Sequence, residues 1–164
     1  MADSVDSTFI QQVNTNLDIA RKVSRIYFPD VHDREDVLQE MMYQLWKSYS
    51  SFDGRSQFST WMYRVCLNTA LTYRRNKKRR KTESLALYHE NIPESQSGNN
   101  EEAISMLFRA ISSLSSVNKA IVLLYLEDLS YEEIASITGL TKSNVSVRLV
   151  RIKKELETLL KEKI

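Results

Sequence analysis

Only three glycines and two prolines interrupt 164 residues. Both weaken helix interiors, glycine by about 1 kcal/mol and proline by about 3. A chain so short of both, with few long β-branched runs, is expected to be all-α. Pro93 and Gly98 fall in one turn-rich stretch, KTESLALYHENIPESQSGNN, Lys81 to Asn100, whose second part, PESQSGNN, holds no apolar residue. Structureless stretches of that length are uncommon inside a compact domain. The expectation is two small helical domains, 1–81 and 101–164, joined by a flexible linker over 82–100. Such a linker reaches roughly 60 Å when extended.

Hydrophobic residues make up 42% of the chain, enough for a core. The longest apolar run, AIVLLYL from Ala120 to Leu126, is far short of the ~20 residues a membrane helix needs. The N-terminal MADSVDSTFIQQ lacks the apolar stretch of a signal peptide. A lone Cys66 cannot pair within the chain. These features predict a soluble cytoplasmic protein without membrane insertion. Net charge is only +2, but it is sorted: residues 72–81 carry seven basic and no acidic groups, 101–133 two basic and six acidic, and 134–164 seven basic and three acidic. Two cationic zones predict two contacts with a polyanion, and the acidic surfaces between them contact with a basic partner.

In the first domain, Phe9, Val13, Leu17, Ala20, Val23 and Tyr27 recur at steps of three and four, a helical pattern. Val37, Leu38, Met41, Leu45 and Trp46 form a second stripe, with Asp33 as its expected N-cap and Glu35 and Asp36 in its first turn. SSFDGRSQ breaks the pattern. A further helix follows, expected to be capped by Ser59, with Trp61, Val65, Asn68 and Leu71 in line. It runs into LTYRRNKKRRK. Rings beside such a basic run suit unpaired bases, whose stacking is worth about 1–3 kcal/mol each; for Phe58 and Trp61 a place in the core is an equal expectation. Asn68, polar among Val65, Cys66, Leu67 and Leu71, needs a backbone group or a base as partner.

The segment YEEIASITGLTKSNVSVRLVRIKKEL, Tyr131 to Leu156, reads as a helix-turn-helix. Ser130 and Glu133 make an S-x-x-E capping box. Ala135 is small where the second helix crosses. Gly139 supplies the left-handed residue that ends the first helix. Thr141 caps the second helix, and Val145 wedges between the two. Val145, Leu149, Ile152 and Leu156 form the buried stripe. Lys142, Ser143, Asn144, Ser146, Val147, Arg148 and Arg151 remain for DNA, near the helix start for base edges and on its flanks for phosphates.

Both halves resemble one family, the bacterial RNA polymerase sigma factors of the extracytoplasmic-function group. DREDVLQEMMYQLW and FSTWMYRVCLNTALTYRRNKKRR resemble sigma domain 2. LSSVNKAIVLLYLEDLSYEEIASITGLTKSNVSVRLVRIKKEL resembles sigma domain 4. The resemblance implies a factor that binds core RNA polymerase and directs promoter-specific initiation. Asp36, Gln39, Glu40 and Tyr43 would meet the polymerase clamp. The loop Lys47 to Gln57 would capture a flipped base of the melted −10 element. Phe58, Trp61, Arg64, Asn68, Arg74 and Arg75 would hold that strand. The second helix of the helix-turn-helix would enter the duplex −35 element, and the region of Glu127 and Asp128 would face the polymerase flap. An anti-sigma factor is a further implied partner. Thr72 stands where the family often has Asp, and Ser146-Val147 where it commonly has Lys-Ser.

The alternative is an autonomous helix-turn-helix transcriptional regulator, which leaves the acidic helix at 33–46 and the basic run at 74–81 without a role. Enzymatic function is not expected. His32 and His89 lack metal-ligand spacing, Cys66 reads as a core thiol, and there is no phosphate-binding glycine loop. Neither cofactor nor metal is expected.

Overall fold

The computed structural model describes residues 2–83 and 99–162, with side chains over 4–80 and 100–162. Most of the expected linker, and His89, lie outside the described residues. Eight α-helices and one short 3-10 turn account for the regular structure, and there is no strand among the described residues. The chain divides into two compact units, Met1–Asn91 and Ile92–Ile164.

The first unit comprises α1 (Ala2–Thr15), α2 (Leu17–Tyr27), α3 (Val31–Ser48), a 3-10 turn (Tyr49–Ser51) and α4 (Phe58–Glu83). The first apolar stripe is carried by two helices. Asn16 separates them, and its side-chain amide donates to the Gln12 carbonyl at 2.9 Å. Such a bond gives the backbone an alternative to continuing the helix. Phe9, Val13, Ala20, Val23 and Tyr27 are buried as expected, and Leu17 is half-buried.

The N-cap of α3 is Asp30, not Asp33. Helix entry follows Pro29, and the Asp30 carboxylate accepts from the backbone N–H groups of His32 at 2.8 Å and Asp33 at 3.2 Å. These N–H groups, Asp33's foremost, hold its pKa below the ordinary carboxylate value. The cap is therefore intact at neutral pH and weakens as pH falls through the lowered value. Asp33 becomes the first-turn acid, and Glu35 and Asp36 stand further along. Val37, Met41 and Leu45 are fully buried, but Leu38 is only half-buried and Trp46 is 52% exposed.

The helix α4 starts at Phe58, which puts Ser59 inside its first turn; the Trp61 N–H bonds to the Gln57 carbonyl at 3.2 Å. The buried line runs through Met62, Tyr63, Cys66, Leu67 and Ala70, one residue away from the expected Trp61, Val65, Asn68 and Leu71. The cause is tertiary. This helix packs on both α2 and α3, so its buried face is wider than a one-neighbour stripe and is centred elsewhere.

The second unit comprises α5 (Asn99–Ser112), α6 (Ser116–Leu126), α7 (Tyr131–Thr138) and α8 (Lys142–Lys161), with α8 packed on the other three. Ile111, Ile121, Leu124, Ile134, Val145, Leu149 and Ile152 are its deepest residues. The expected caps, turn and buried stripe of the helix-turn-helix hold. The Ser130–Glu133 capping box is closed in both directions. Thr141 accepts from the Asn144 N–H at 3.1 Å. Gly139 has φ +77°, and its N–H reaches the Ala135 carbonyl at 2.9 Å.

A Cβ built on Gly139 meets nothing within 4 Å. Gly139→Ala therefore tests backbone conformation alone. We expect it to destabilise the second unit by about 1–2 kcal/mol, seen as a lower denaturant midpoint.

Candidate nucleic-acid interface

The unit formed by α1–α4 presents two different surfaces. Gln39 and Tyr43 stand exposed on the outer side of α3, and Tyr43 is 56% exposed. Trp46, one turn further, joins them with its ring edge-on to Phe9 at 5.5 Å. Its periodicity places Trp46 in the core, whereas the structure leaves it exposed beside Tyr43, three residues earlier on the same helix. Asp36 is exposed as well, and Glu40 is half-buried at the edge of a groove against α4. Asp36 accepts from the Tyr73 hydroxyl at 3.5 Å, and Glu40 accepts from the Gln44 amide at 2.9 Å. The Tyr73 phenol is raised above its ordinary pKa, first by burial and then by the charges of Asp36 and Asp33.

Between α3 and α4 lies a groove of about 600 Å³, bordered by Asp33, Glu40 and Gln44 on one side and Asn68, Thr72, Asn76 and Arg80 on the other. Asn68 is exposed into this groove, which resolves its place in an apolar sequence. At the groove's end Lys77 forms an ion pair with Asp33. One cation of the basic run is thus committed to holding α4 against α3. Arg64 and Arg75 are exposed, and Arg74 is half-buried. Asn76 and Arg80 are not among the contacts expected from the sequence; i, i+4 spacing from Asn68 through Thr72 to Asn76 and Arg80 places all four on one helix face.

The loop before α4 is built from rings. Phe52 lies 5.2 Å from Trp61 and 5.7 Å from Phe58, and Tyr49 lies 6.2 Å from Trp61. Phe58 is only 9% exposed, so it supports the other rings, whereas Trp61 is half-buried. Gly54 turns the loop at φ +77°, next to an exposed Asp53–Arg55 pair at 3.0 Å.

In the other unit, α8 offers Lys142, Ser143, Asn144, Val147 and Arg151 as exposed residues, with Ser146 and Arg148 half-buried. Three of its cations are tied to neighbouring helices. Lys142 pairs with Glu132 at 2.5 Å and lowers the Glu132 pKa. Arg148 donates to the Asn118 side chain at 3.1 Å. Lys153 donates to the Tyr125 hydroxyl at 3.1 Å and lies 4.6 Å from its ring centre. Glu127 and Asp128 close α6, with Asp128 in a left-handed conformation at φ +60°.

Cys66 is fully buried, and burial pushes its thiol up to about 12, which leaves it protonated and unreactive at neutral pH. No cluster of His, Cys, Asp and Glu among the described residues can hold a metal ion, and no helix among them is long and apolar enough to cross a membrane.

Comparison with known proteins agrees with this division. The sigma-70 region 2 family matches residues 13–80 and the sigma-70 region 4 family residues 104–156. The ECF RNA polymerase sigma-E factors of Escherichia coli K12 and Salmonella typhimurium LT2 are each 36% identical over 152 residues, covering 85% of this chain and 78% of theirs. Among solved structures, sigma factor RpoE bound to anti-sigma factor NepR from Bartonella quintana shares the fold at a TM-score of 0.79 and 24% identity, over 94% of this chain and 97% of that one. CnrH bound to the cytosolic domain of CnrY does so at 0.69 and 20%, over 97% and 91%. A region 2 match on the unit with the α3–α4 groove, a region 4 match on the helix-turn-helix and relatives alike along most of their length place the chain in one family: it belongs to the ECF sigma factors of RNA polymerase.

Proposed function

We propose that the chain binds core RNA polymerase through the outer face of α3 and directs it to promoters with two DNA-reading surfaces. Gln39, Tyr43 and Trp46 form the centre of the polymerase contact, with exposed Asp36 beside them and half-buried Glu40 at its inner edge. The ring-lined loop 47–57 takes a base flipped from the −10 element, flanked by Trp61, while Phe58 supports it from below. Arg64, Asn68, Arg74 and Arg75 follow the melted strand. Ser143, Asn144, Val147 and Arg151 meet base edges or phosphates of the duplex −35 element; Lys142, Ser146 and Arg148 position the helix at its rim. The domains divide as 1–81 for polymerase and −10 contacts, 82–100 as linker and 101–164 for the −35 contact. Glu127 and Asp128 face the polymerase flap.

One observation supports this reading above the others. A region 2 unit with exposed rings and cations, and a region 4 unit with an outward recognition helix, occur in one chain. An autonomous regulator would need only the second. The factor supplies specificity and partner contacts, not catalysis, and it works in the cytoplasm. The two structural relatives were solved with the anti-sigma factor NepR and with CnrY. By analogy, a partner protein covers the α3 face of this chain when it is held inactive.

Two weak DNA contacts gain from being held together. The free chain is therefore expected to bind duplex promoter DNA poorly, and the same DNA to be bound tightly once core polymerase is added. Gel-shift titrations with and without core test this. Tight, specific binding by the free chain would favour the autonomous regulator instead.

A further inference from the structure

The outward face of the recognition helix carries chemistry that phosphate binding does not explain. The helix α8 turns Val145, Leu149, Ile152 and Leu156 into the core. At 3.6 residues per turn, the opposite side holds Ser143, Val147, Val150 and Lys154, all exposed. Val147 is 50% and Val150 55% exposed. Neither belongs to the core, and a β-branched residue is a poorer helix former than the straight-chain polar residues usual on a solvated face. The cations of this helix are partly diverted, Lys142 to Glu132, Arg148 to Asn118 and Lys153 to Tyr125.

We propose that Val147 and Val150 read thymines of the −35 duplex through apolar contact with their C5-methyl groups. This rests on the preceding reading that α8 enters the −35 major groove. The thymine methyl is the apolar group displayed in that groove, and small apolar side chains are its complement. Residues three apart on a helix have Cβ atoms about 5–6 Å apart. That separation suits methyls on neighbouring or alternate base pairs, which rise about 3.4 Å per step. Both valines lie within the first three turns, the part of a recognition helix that reaches base edges. Charge selects DNA over a protein occupant. Arg151 and Lys154 flank the valines, and α8 has no acidic residue before Glu155. The face is thus apolar at its centre and cationic at its edge, which fits a polyanion carrying methyl groups.

The test uses the complete chain assembled with core polymerase. A DNA pool with a randomised −35 segment is selected for binding, and each thymine of the selected element is then replaced by deoxyuridine, which removes only the methyl. Binding is expected to fall about four-fold at one or two positions, the worth of one buried methyl group. In Val147→Ala and Val150→Ala chains, each deoxyuridine penalty should vanish at the position that valine reads. Both substitutions are at exposed sites and favour the helix, so unfolding does not mimic the result. Penalties absent in the unaltered chain, or unchanged in both variants, overturn the proposal. So does loss of binding to a protein partner with the methyl dependence intact, which would assign the valines to a protein surface. If the −35 segment proves irrelevant to binding altogether, the parent reading falls as well; if it matters without its methyls, only this inference falls.

Discussion

Tyr43→Ala weakens association with core polymerase by about 30-fold or more. The expectation follows from where the ring stands and what rings do at interfaces. Tyr43 is 56% exposed on the outer side of α3, and buried Tyr and Trp anchors at protein contacts typically contribute about 2 kcal/mol or more when truncated. The change leaves Val37, Met41 and Leu45 untouched on the other side of the helix, so the thermal midpoint should stay within a degree or two. Trp46→Ala is expected to weaken binding comparably, but it also removes the edge contact with Phe9 and so lowers the stability of the first unit by roughly 1 kcal/mol. Titration of labelled chain with core enzyme, beside thermal unfolding, separates the two effects. A change of less than three-fold for Tyr43→Ala would move the polymerase contact away from this face.

The basic run gives the second large effect. Arg75 is exposed beside the groove, and Arg79 is exposed one turn on. If both meet phosphates of a single strand, each contributes a slope of about 0.7 in log affinity against log salt. The double variant Arg75→Ala/Arg79→Ala should lower the slope by about 1.4. At 0.1 M salt this corresponds to a loss on the order of 25-fold, extrapolating from no electrostatic contribution near 1 M. Lys77→Ala behaves differently. Its ion pair with Asp33 is partly buried, so this variant should loosen α4 from α3 while changing the slope little. Holoenzyme binding to a pre-melted −10 fragment at several salt concentrations measures both.

The helix-turn-helix was legible because its determinants are local. The Ser130 box, Gly139, the Thr141 cap and the stripe from Val145 to Leu156 all lie within one short window and constrain the backbone directly. The first domain was less legible because its determinants are spread out. The choice between Asp30 and Asp33 depends on how the chain enters α3 after Pro29, and either residue can cap a helix. The face of α4 depends on two neighbouring helices, and a single-helix periodicity cannot locate a surface buried on two sides. Periodicity likewise placed Trp46 inside, whereas its ring rests on Phe9 at the rim. Polar pairings such as Lys77–Asp33 and Arg148–Asn118 join residues 44 and 30 positions apart. They divide the cations of a basic segment into structural and available ones, a distinction that charge counting does not make.

The most direct measurement is run-off transcription from genomic DNA with purified core polymerase. Discrete transcripts should appear when the chain is added, be absent with core alone, and diminish with Tyr43→Ala and with Arg75→Ala/Arg79→Ala. Transcription unchanged by the chain, together with no detectable association with core, would contradict the assignment of its two surfaces to one initiation factor.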